Sequence, residues 1–326
     1  MNMKLDQTDK KILFSLLKNS RMPVQQIAKE THLSREIAQY RMKKLEESGI
    51  IKGYVTRINQ SFFCQGIASL FLKVSNMTPQ KHKDILLFLQ NHESINWIGE
   101  LCGNYDITLS LLYHTPKDLS EKVSSIANFI GKNLIEQQLA IYIAELKFDR
   151  SGIIKKAAHH PNAPTVFNNQ KRTFDHDDII ILSILSENAR AKTVDIAQKT
   201  SVDEDAIRLR IKKLQKTQVI TGYTIILDPT VLGYESYYLL LSIENLNKEL
   251  ISKIKYYAAN APNVVFCVQT AGKHNVILNI LAQDRREFAK LLSELRTAFP
   301  EIRNYEINLG MQEHKEVFVP FSKRHS

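Results

Sequence analysis

The sequence is poor in the signatures that would commit it to a membrane, a metal or a covalent reaction. Its 326 residues include three cysteines, Cys64, Cys102 and Cys267. They are odd in number, widely spaced and form no C-x-x-C pair, which argues against a disulfide framework or zinc site and leaves them as reduced packing residues. No stretch approaches the roughly eighteen consecutive apolar residues of a membrane span. The opening Met1-Asn2-Met3-Lys4-Leu5-Asp6 lacks the apolar core of a signal peptide. A soluble, cytoplasmic protein is expected. No Ser-His-Asp set, phosphate loop or metal spacing is apparent, and Gly49-x-x-x-Gly53 reads as a helix stop followed by a strand. No cofactor is expected.

What is present is repetition. The stretch from Leu5 to about Phe148 recurs from Phe174 to about Val317 at an offset of 169 residues. The offset is carried by Asp6/Asp175, Arg21/Arg190, Ala28/Ala197, Arg41/Arg210, Lys43-Lys44-Leu45/Lys212-Lys213-Leu214, Gly53-Tyr54/Gly222-Tyr223 and Gly103/Gly272. So long a period, present twice, reads as a tandem duplication of a two-part module rather than a solenoid. With 44% apolar and 24% charged residues, the composition is that of an ordinary globular chain.

Within the first copy, Ile12, Leu13, Leu16 and Leu17 recur at helical spacing behind Asp6 and Thr8, either of which could cap the helix. Pro23 opens a second helix over Val24 to Glu30, and Ser34 caps a third running to about Ser48. The turn Thr31-His32-Leu33 between them makes a helix-turn-helix. Gly49 then stops the third helix, and Ile50 to Ile58 leads away as a strand. Beyond Gly66 the order changes to βαββαβ, with strands at Ser69–Val74, Ile95–Leu101, Ile107–Tyr113 and Ile135–Leu146 and helices at Pro79–Asn91 and Pro116–Ile130. The predicted fold is α+β: a winged-helix-like helix-turn-helix followed by a ferredoxin-like domain, the pair repeated. The domains are 1–58, 62–148, 174–228 and 232–320, joined by a linker over 149–173. A ferredoxin-like sheet has both helices on one face, so apolar residues on its other face need a partner. His159-His160 beside Lys155-Lys156 is read as solvated linker.

Charge separates the copies. Lys4 to Arg57 holds twelve Lys/Arg against six Asp/Glu, a net +6, whereas Thr173 to Ile226 holds eight of each. The first helix-turn-helix thus has a surface compatible with a polyanion. In such a motif the third helix enters the major groove of DNA. Here Ile37, Ala38, Met42 and Leu45 are predicted to face inward, leaving Arg35, Glu36, Gln39, Tyr40 and Lys43 outward. Arg can pair with guanine and Gln with adenine, while Lys43, Lys44 and helix N-termini can hold phosphates. The competing reading is a solvated surface that packs on another protein. In the second copy Asp203-Glu204-Asp205 stands where the first has Ser34-Arg35-Glu36, which opposes DNA, although Arg208, Arg210, Lys212 and Lys213 remain.

The run Ser34-Arg35-x-x-Ala38-x-x-Arg41-Met42-Lys43-Lys44-Leu45-Glu46-Glu47-Ser48-Gly49-Ile50-Ile51, the Leu-Asp-x-x-Asp opening and Gly53-Tyr54 resemble the DNA-binding part of leucine-responsive regulatory protein/AsnC family transcription regulators. The βαββαβ part, with Gly103-Asn104-Tyr105-Asp106 at its central hairpin, resembles that family's ligand-responsive domain. The resemblance implies double-stranded DNA as a partner through Ser34, Arg35, Gln39, Tyr40, Arg41, Lys43 and Lys44, with Arg208, Arg210, Lys212 and Lys213 in the second copy. It also implies sheet-mediated dimers and an amino-acid-like effector near Gly103, Tyr105, Asp106, Gly272, His274 and Asn275. Family members usually have one copy and a Gly in the helix-helix turn, where this chain has His32 and Ser201. At the second hairpin Gly-x-Tyr-Asp becomes Gly272-x-His274-Asn275, so the carboxylate is lost.

The expected function is therefore sequence-specific DNA binding by an effector-responsive regulator. Its sheets pair either within the chain, as a pseudodimer with an asymmetric operator, or between chains. Asp106 either contacts an effector or merely closes its own hairpin. Two rivals stand beside this reading. The fold pair also resembles siroheme decarboxylases, enzymes of two regulator-like halves, for which His274, Arg285 and Arg286 would be the candidates, though that family's basic-histidine run is not found. The other is a DNA-independent adaptor.

Overall fold

The computed structural model describes residues 5–155, 173–200 and 202–319. Helices α1 (Gln7–Lys18), α2 (Val24–Thr31) and α3 (Arg35–Glu47) lead into strand β1 (Ile51–Ile58). There follow β2 (Gly66–Val74), α4 (Pro79–Asn91), β3 (Ile95–Gly103), β4 (Ile107–Tyr113), α5 (Pro116–Ile130), β5 (Leu134–Phe148) and the short α6 (Gly152–Lys155). The second half contains α7 (His176–Glu187), α8 (Thr193–Ala197), α9 (Glu204–Lys216), β6 (Ile220–Leu227) and β7 (Glu235–Ile243). It continues with α10 (Lys248–Asn260), β8 (Val264–Ala271), β9 (Val276–Ala282), α11 (Arg285–Ala298) and β10 (Ile302–Glu316).

Local chemistry sets many of these boundaries. Asp6 accepts the Asp9 N–H at 2.7 Å and Asp9 accepts the Asp6 N–H in return, a reciprocal cap on α1. Ser34, Thr78, Thr115, Asp175 and Asp203 cap α3, α4, α5, α7 and α9 in the same sense, and Pro79 and Pro116 occupy first-turn positions where their missing N–H costs nothing. Gly49, at φ +76°, ends the run of α3.

The chain forms two compact units, each drawing on both halves of the sequence. In one unit, α1–α3 and α7–α9 are joined by β1 and β6, which pair antiparallel from Ile51 opposite Leu227 to Ile58 opposite Ile220. The exchange is reciprocal. Thr56 donates to the Leu185 carbonyl in α7 and Thr224 donates to the Leu17 carbonyl in α1. Arg21 donates to the Ala189 carbonyl and lies over the Tyr223 ring; Arg190 donates to the Ser20 and Met22 carbonyls and lies over Tyr54. Ile58 and Tyr54 also enter the apolar core of α7–α9.

The other unit is a closed eight-stranded barrel in the order β10-β3-β4-β2-β5-β8-β9-β7. Its segments β3-β4-β2-β5 and β8-β9-β7-β10 each have the strand order of a ferredoxin-like sheet. Antiparallel pairing of β5 with β8 and of β10 with β3 joins them edge to edge. Alternation along a strand, with a period of two, divides the apolar residues between cores. Leu70 and Leu72 pack under α4 and α5, whereas Phe71 between them points into a central core with Leu101, Tyr105, Ala140, Leu240, Val268 and Ile277. Leu239 and Leu241 likewise pack under α10 and α11, opposite to Leu240. The sheet faces expected to need a partner therefore cover each other within this chain.

Two half-buried lysines tie the joints. Lys147 of β5 donates to the Ala258 and Ala261 carbonyls at the end of α10, and Lys315 of β10 donates to the Gln90 and His92 carbonyls at the end of α4. Burial pushes the Lys315 ammonium down to about 8, so at neutral pH it still brings charge to carbonyls that the helix itself leaves unbonded.

Three expectations need correction. Cys64 and Cys267 are buried, but Cys102 is exposed and packs in no core. The start of the expected linker is folded: Arg150 bonds Glu313 and Glu316 at 3.0 Å each, and Ser151, Ile153 and Ile154 are buried. His159, His160 and Lys156 lie outside the described residues. Ile37, expected to face inward, is 48% exposed; Ala38, Met42 and Leu45 alone among the expected four are buried, because α3 turns Ile37 past its narrow apolar stripe.

Replacing Lys315 with Ala removes the ammonium from the Gln90 and His92 carbonyls in a partly buried joint, and of the two the His92 carbonyl keeps the Ile95 N–H. Stability is expected to fall by about 1–3 kcal/mol, read as a lower urea midpoint with unchanged slope.

Candidate functional site

The first helix-turn-helix is held by short-range bonds that leave one face of α3 open. The Thr31 hydroxyl donates to the Ile27 carbonyl, and His32 ends α2 in the left-handed region at φ +58°, the conformation a glycine would supply more cheaply. Ser201, at the corresponding turn, lies outside the described residues. Ser34 accepts the Ile37 N–H at 3.2 Å. Ser34, Arg35, Gln39, Tyr40, Lys43 and Lys44 are all exposed, with Tyr40 at 67%. Arg41 differs from them: it is half-buried, and one guanidinium nitrogen reaches Asp6 at 2.6 Å and Asp9 at 2.8 Å, locking α3 to the start of α1. The bond to the Asp9 N–H and the Arg41 guanidinium hold the Asp6 carboxyl below its usual range. Among the described residues Arg35 and Lys44 make no ion pair, and Lys43 reaches Glu47 at 3.5 Å. This face offers donors and cations to a groove.

The second motif offers a different face. Helix α8 has five residues against eight in α2. Asp203 accepts the Ala206 N–H at 2.9 Å, as a cap requires. Arg208 is held by Glu204 at 2.6 Å and Asp205 at 2.9 Å, and Thr193 also donates to Glu204. Arg210 reaches Asp175, Asp177 and Asp178 at 2.6–3.3 Å, in the role Arg41 has on α3. Lys212 and Lys213 are exposed and make no ion pair among the described residues. Leu209 is 66% exposed.

In the barrel, the two hairpins each close on the other half of the chain. Gly103, at φ +151°, passes so near β10 that a Cβ would lie 2.8 Å from Asn308 Oδ1, and Gly272, at φ +150°, approaches the Leu139 carbonyl of β5 as closely. Asp106 accepts the Val74 N–H at 2.8 Å and Lys73 Nζ at 3.1 Å, while Asn275 accepts the Ile243 N–H and donates to the Ile243 carbonyl. Each side chain bonds the strand beside its hairpin, Asp106 to β2 and Asn275 to β7. Tyr105 and His274, at the matching hairpin positions, are buried and meet through one residue: Tyr105 donates to Gln138 Oε1 at 2.5 Å, and Gln138 Nε2 lies 2.7 Å from His274 Nδ1. With its carbonyl occupied by the tyrosine, Gln138 presents its amide donor to the ring, so Nδ1 accepts and Nε2 keeps the proton. Nε2 faces Glu306 Oε1 at 3.4 Å, and Lys273 holds that oxygen at 2.6 Å. Burial lowers the His274 pKa, and Glu306 only partly opposes this.

Gln138, Glu306 and Asn308 complete this cluster, and sequence reasoning missed all three. Each lies on a long strand more than thirty residues from the hairpin it serves; the available signal was a polar residue at an inward strand position. For the decarboxylase candidates, the ring of His274 has no exposed surface, whereas Arg285 and Arg286 are exposed at the start of α11. Among the described residues no His, Cys, Asp or Glu cluster fits a metal ion, and no helix is long and apolar enough to cross a membrane.

These features define a helix-turn-helix protein with paired ferredoxin-like sheets, and comparison with known proteins places it further. The winged helix-turn-helix DNA-binding family matches residues 5–52, the AsnC-type helix-turn-helix domain matches 174–215, and the Lrp/AsnC ligand binding domain matches 236–319. The HTH-type transcriptional regulator LrpA of Pyrococcus horikoshii is 33% identical over 125 residues, 36% of this chain and 83% of that protein. The regulator FL11 of the same organism is 28% identical over 142 residues, 44% of this chain and 92% of its own length. The chain belongs to the Lrp/AsnC family. Its fold also resembles, over 98% of this chain and 95% of the other, the crystal structure of the siroheme decarboxylase NirDL, with a TM-score of 0.65 and 14% identity.

A histidine whose folded pKa lies below its unfolded value of about 6.5 is protonated first in the unfolded chain. The His274 contribution to stability is therefore present above that pH and lost as pH falls through the window beneath it. Unfolding titrations from pH 8 to about 4 are expected to show a steeper acid-side loss for the native chain than for His274→Asn.

Proposed function

We propose that this protein is a DNA-binding transcription regulator of the Lrp/AsnC type, built as a tandem of two regulator units that pair with each other inside one chain. The observation that carries this reading is the open face of α3: Arg35, Gln39, Tyr40, Lys43 and Lys44 are exposed, while Arg41 is spent on holding the helix in place. Arginine and glutamine offer the hydrogen-bond patterns that read guanine and adenine edges, and the lysines suit phosphates. Family membership and the regulators among its relatives support the same reading. The intrachain pairing of β5 with β8 and β10 with β3 supports the internal pseudodimer. An amino-acid-like effector acting at the paired hairpins, around Gly103, Tyr105, Asp106, Gly272, His274 and Asn275, is part of the proposal. There the buried Tyr105-Gln138-His274 chain gives a small molecule a polar element that spans both halves. A cytoplasmic site of action goes with a DNA partner.

One observation favours a second reading. The whole-chain likeness to NirDL extends over both halves, as a fused siroheme decarboxylase would require, but at 14% identity it speaks for the fold alone. An unchanged absorption spectrum on adding siroheme to the purified chain removes it.

For the regulator, fluorescence anisotropy with the chain's own upstream DNA against a scrambled competitor is the test. Sequence-preferring binding that weakens as salt rises is expected, and Arg35→Glu is expected to lose about tenfold or more. Equal binding of both duplexes, or a full-strength Arg35→Glu variant, counts against it.

A further inference from the structure

We infer that the protein reads DNA with one head: α3 alone recognises bases, and α9 is held beside it as a partner that its own carboxylates keep from reading. The inference rests on the regulator reading above and specifies its operator as a single base-read half-site with a flank that lacks base specificity.

The two recognition helices belong to one compact unit, so both are presented together. The pairing of β1 with β6 and the reciprocal bonds of Arg21 and Arg190 join them. A homodimer in such a frame would have two identical reading heads and a palindromic site. Here the faces differ in chemistry rather than in degree. On α3 the exposed Arg35, Gln39 and Tyr40 carry hydrogen-bonding groups. On α9 the corresponding positions are Glu204, Arg208 and Leu209, and the two polar ones are engaged with each other. The Arg208 guanidinium is divided between Glu204 and Asp205, Glu204 also accepts from Thr193, and an exposed leucine has no hydrogen bond to give a base edge.

The positive charge on α9 is also accounted for. Arg210 is consumed by three aspartates at the start of α7, so of the four cations in the sequence Arg208-x-Arg210-x-Lys212-Lys213 only the two lysines are without an ion pair among the described residues. Those lysines lie toward the C-terminal part of α9, away from the end that enters a groove in this motif, and suit phosphates rather than bases. At the other end Asp203, Glu204 and Asp205 meet the phosphate-lined groove with like charge. The consequence is an orientation: a regulator bound this way sits on its operator in one direction, as a homodimer cannot.

The test is selection of duplexes from a randomised pool by the full chain and by the Glu204→Gln/Asp205→Asn variant, followed by anisotropy and hydroxyl-radical footprinting on the winners. Both substitutions are close to isosteric and release Arg208 without removing the Asp203 cap. Wild type is expected to enrich a one-sided motif. Scrambling the read half should cost about 100-fold or more and scrambling the flank less than about threefold. The variant is expected to gain protection on the flank and to steepen the salt dependence of log K by about one to two. A palindromic motif with equal cost in both halves, or a variant indistinguishable from wild type, overturns the inference while leaving the regulator reading intact. Enrichment of no sequence at all overturns both.

Discussion

The structure depends on the pairing of sheet edges that would otherwise be open. A four-stranded ferredoxin-like sheet ends in unpaired backbone donors and acceptors and has one uncovered apolar face, and both are liabilities in water. Joining β5 to β8 and β10 to β3 removes the edges and closes a barrel in which the two uncovered faces become one interior around Phe71, Tyr105, Leu240 and Ile277. Because each joint combines a strand from the first half with one from the second, neither sheet reaches this state without the other half of the chain. Lys147 and Lys315 follow from the same geometry, each carried by a long strand to the carbonyl end of a helix in the opposite half.

Pairing two similar halves does not make them equivalent. At the hairpins, Tyr105 and His274 occupy matching positions, yet one is a phenol and the other an imidazole, and Gln138 connects them. Tyrosine and histidine divide the two ends of Gln138 between them, the phenol donating to its carbonyl and the imidazole Nδ1 accepting from its amide. The cluster thus has a direction, from Tyr105 toward Glu306. On the recognition helices, the carboxylates of α9 hold Arg208, while Arg35 on α3 is left for a partner. Arg41 and Arg210 keep the same locking role on the two helices, so the frame is common to both while the exposed faces differ.

Much of this was legible in the sequence because the signals were local. Asp6, Ser34, Thr78 and Asp203 mark helix starts by side chains that accept an N–H three residues on, Gly49 marks a stop by its positive φ, and alternation marks the strands. The outward placement of Arg35, Gln39, Tyr40 and Lys43 was also readable from helical spacing. Ile37 was misplaced because the stripe that α3 buries is narrow, and an isoleucine at its margin looks the same in sequence whether it faces the core or solvent. Asp106 could be read as an effector contact or as a hairpin closure, and only the positions of Val74 and Lys73 show which bonds it makes.

By itself the sequence determined the order of elements, their capping chemistry and the contrast in charge between the two helix-turn-helix segments, all of which depend on residues within a turn or two of one another. Tertiary structure decided what depends on distance along the chain. It spent Arg41, Arg210 and Arg208 on neighbouring carboxylates, put Gln138 between Tyr105 and His274, and closed the sheets within one molecule rather than between two. The physical reason is that a side chain's chemistry is fixed by its type, whereas its availability is fixed by what the fold brings within about 3 Å of it.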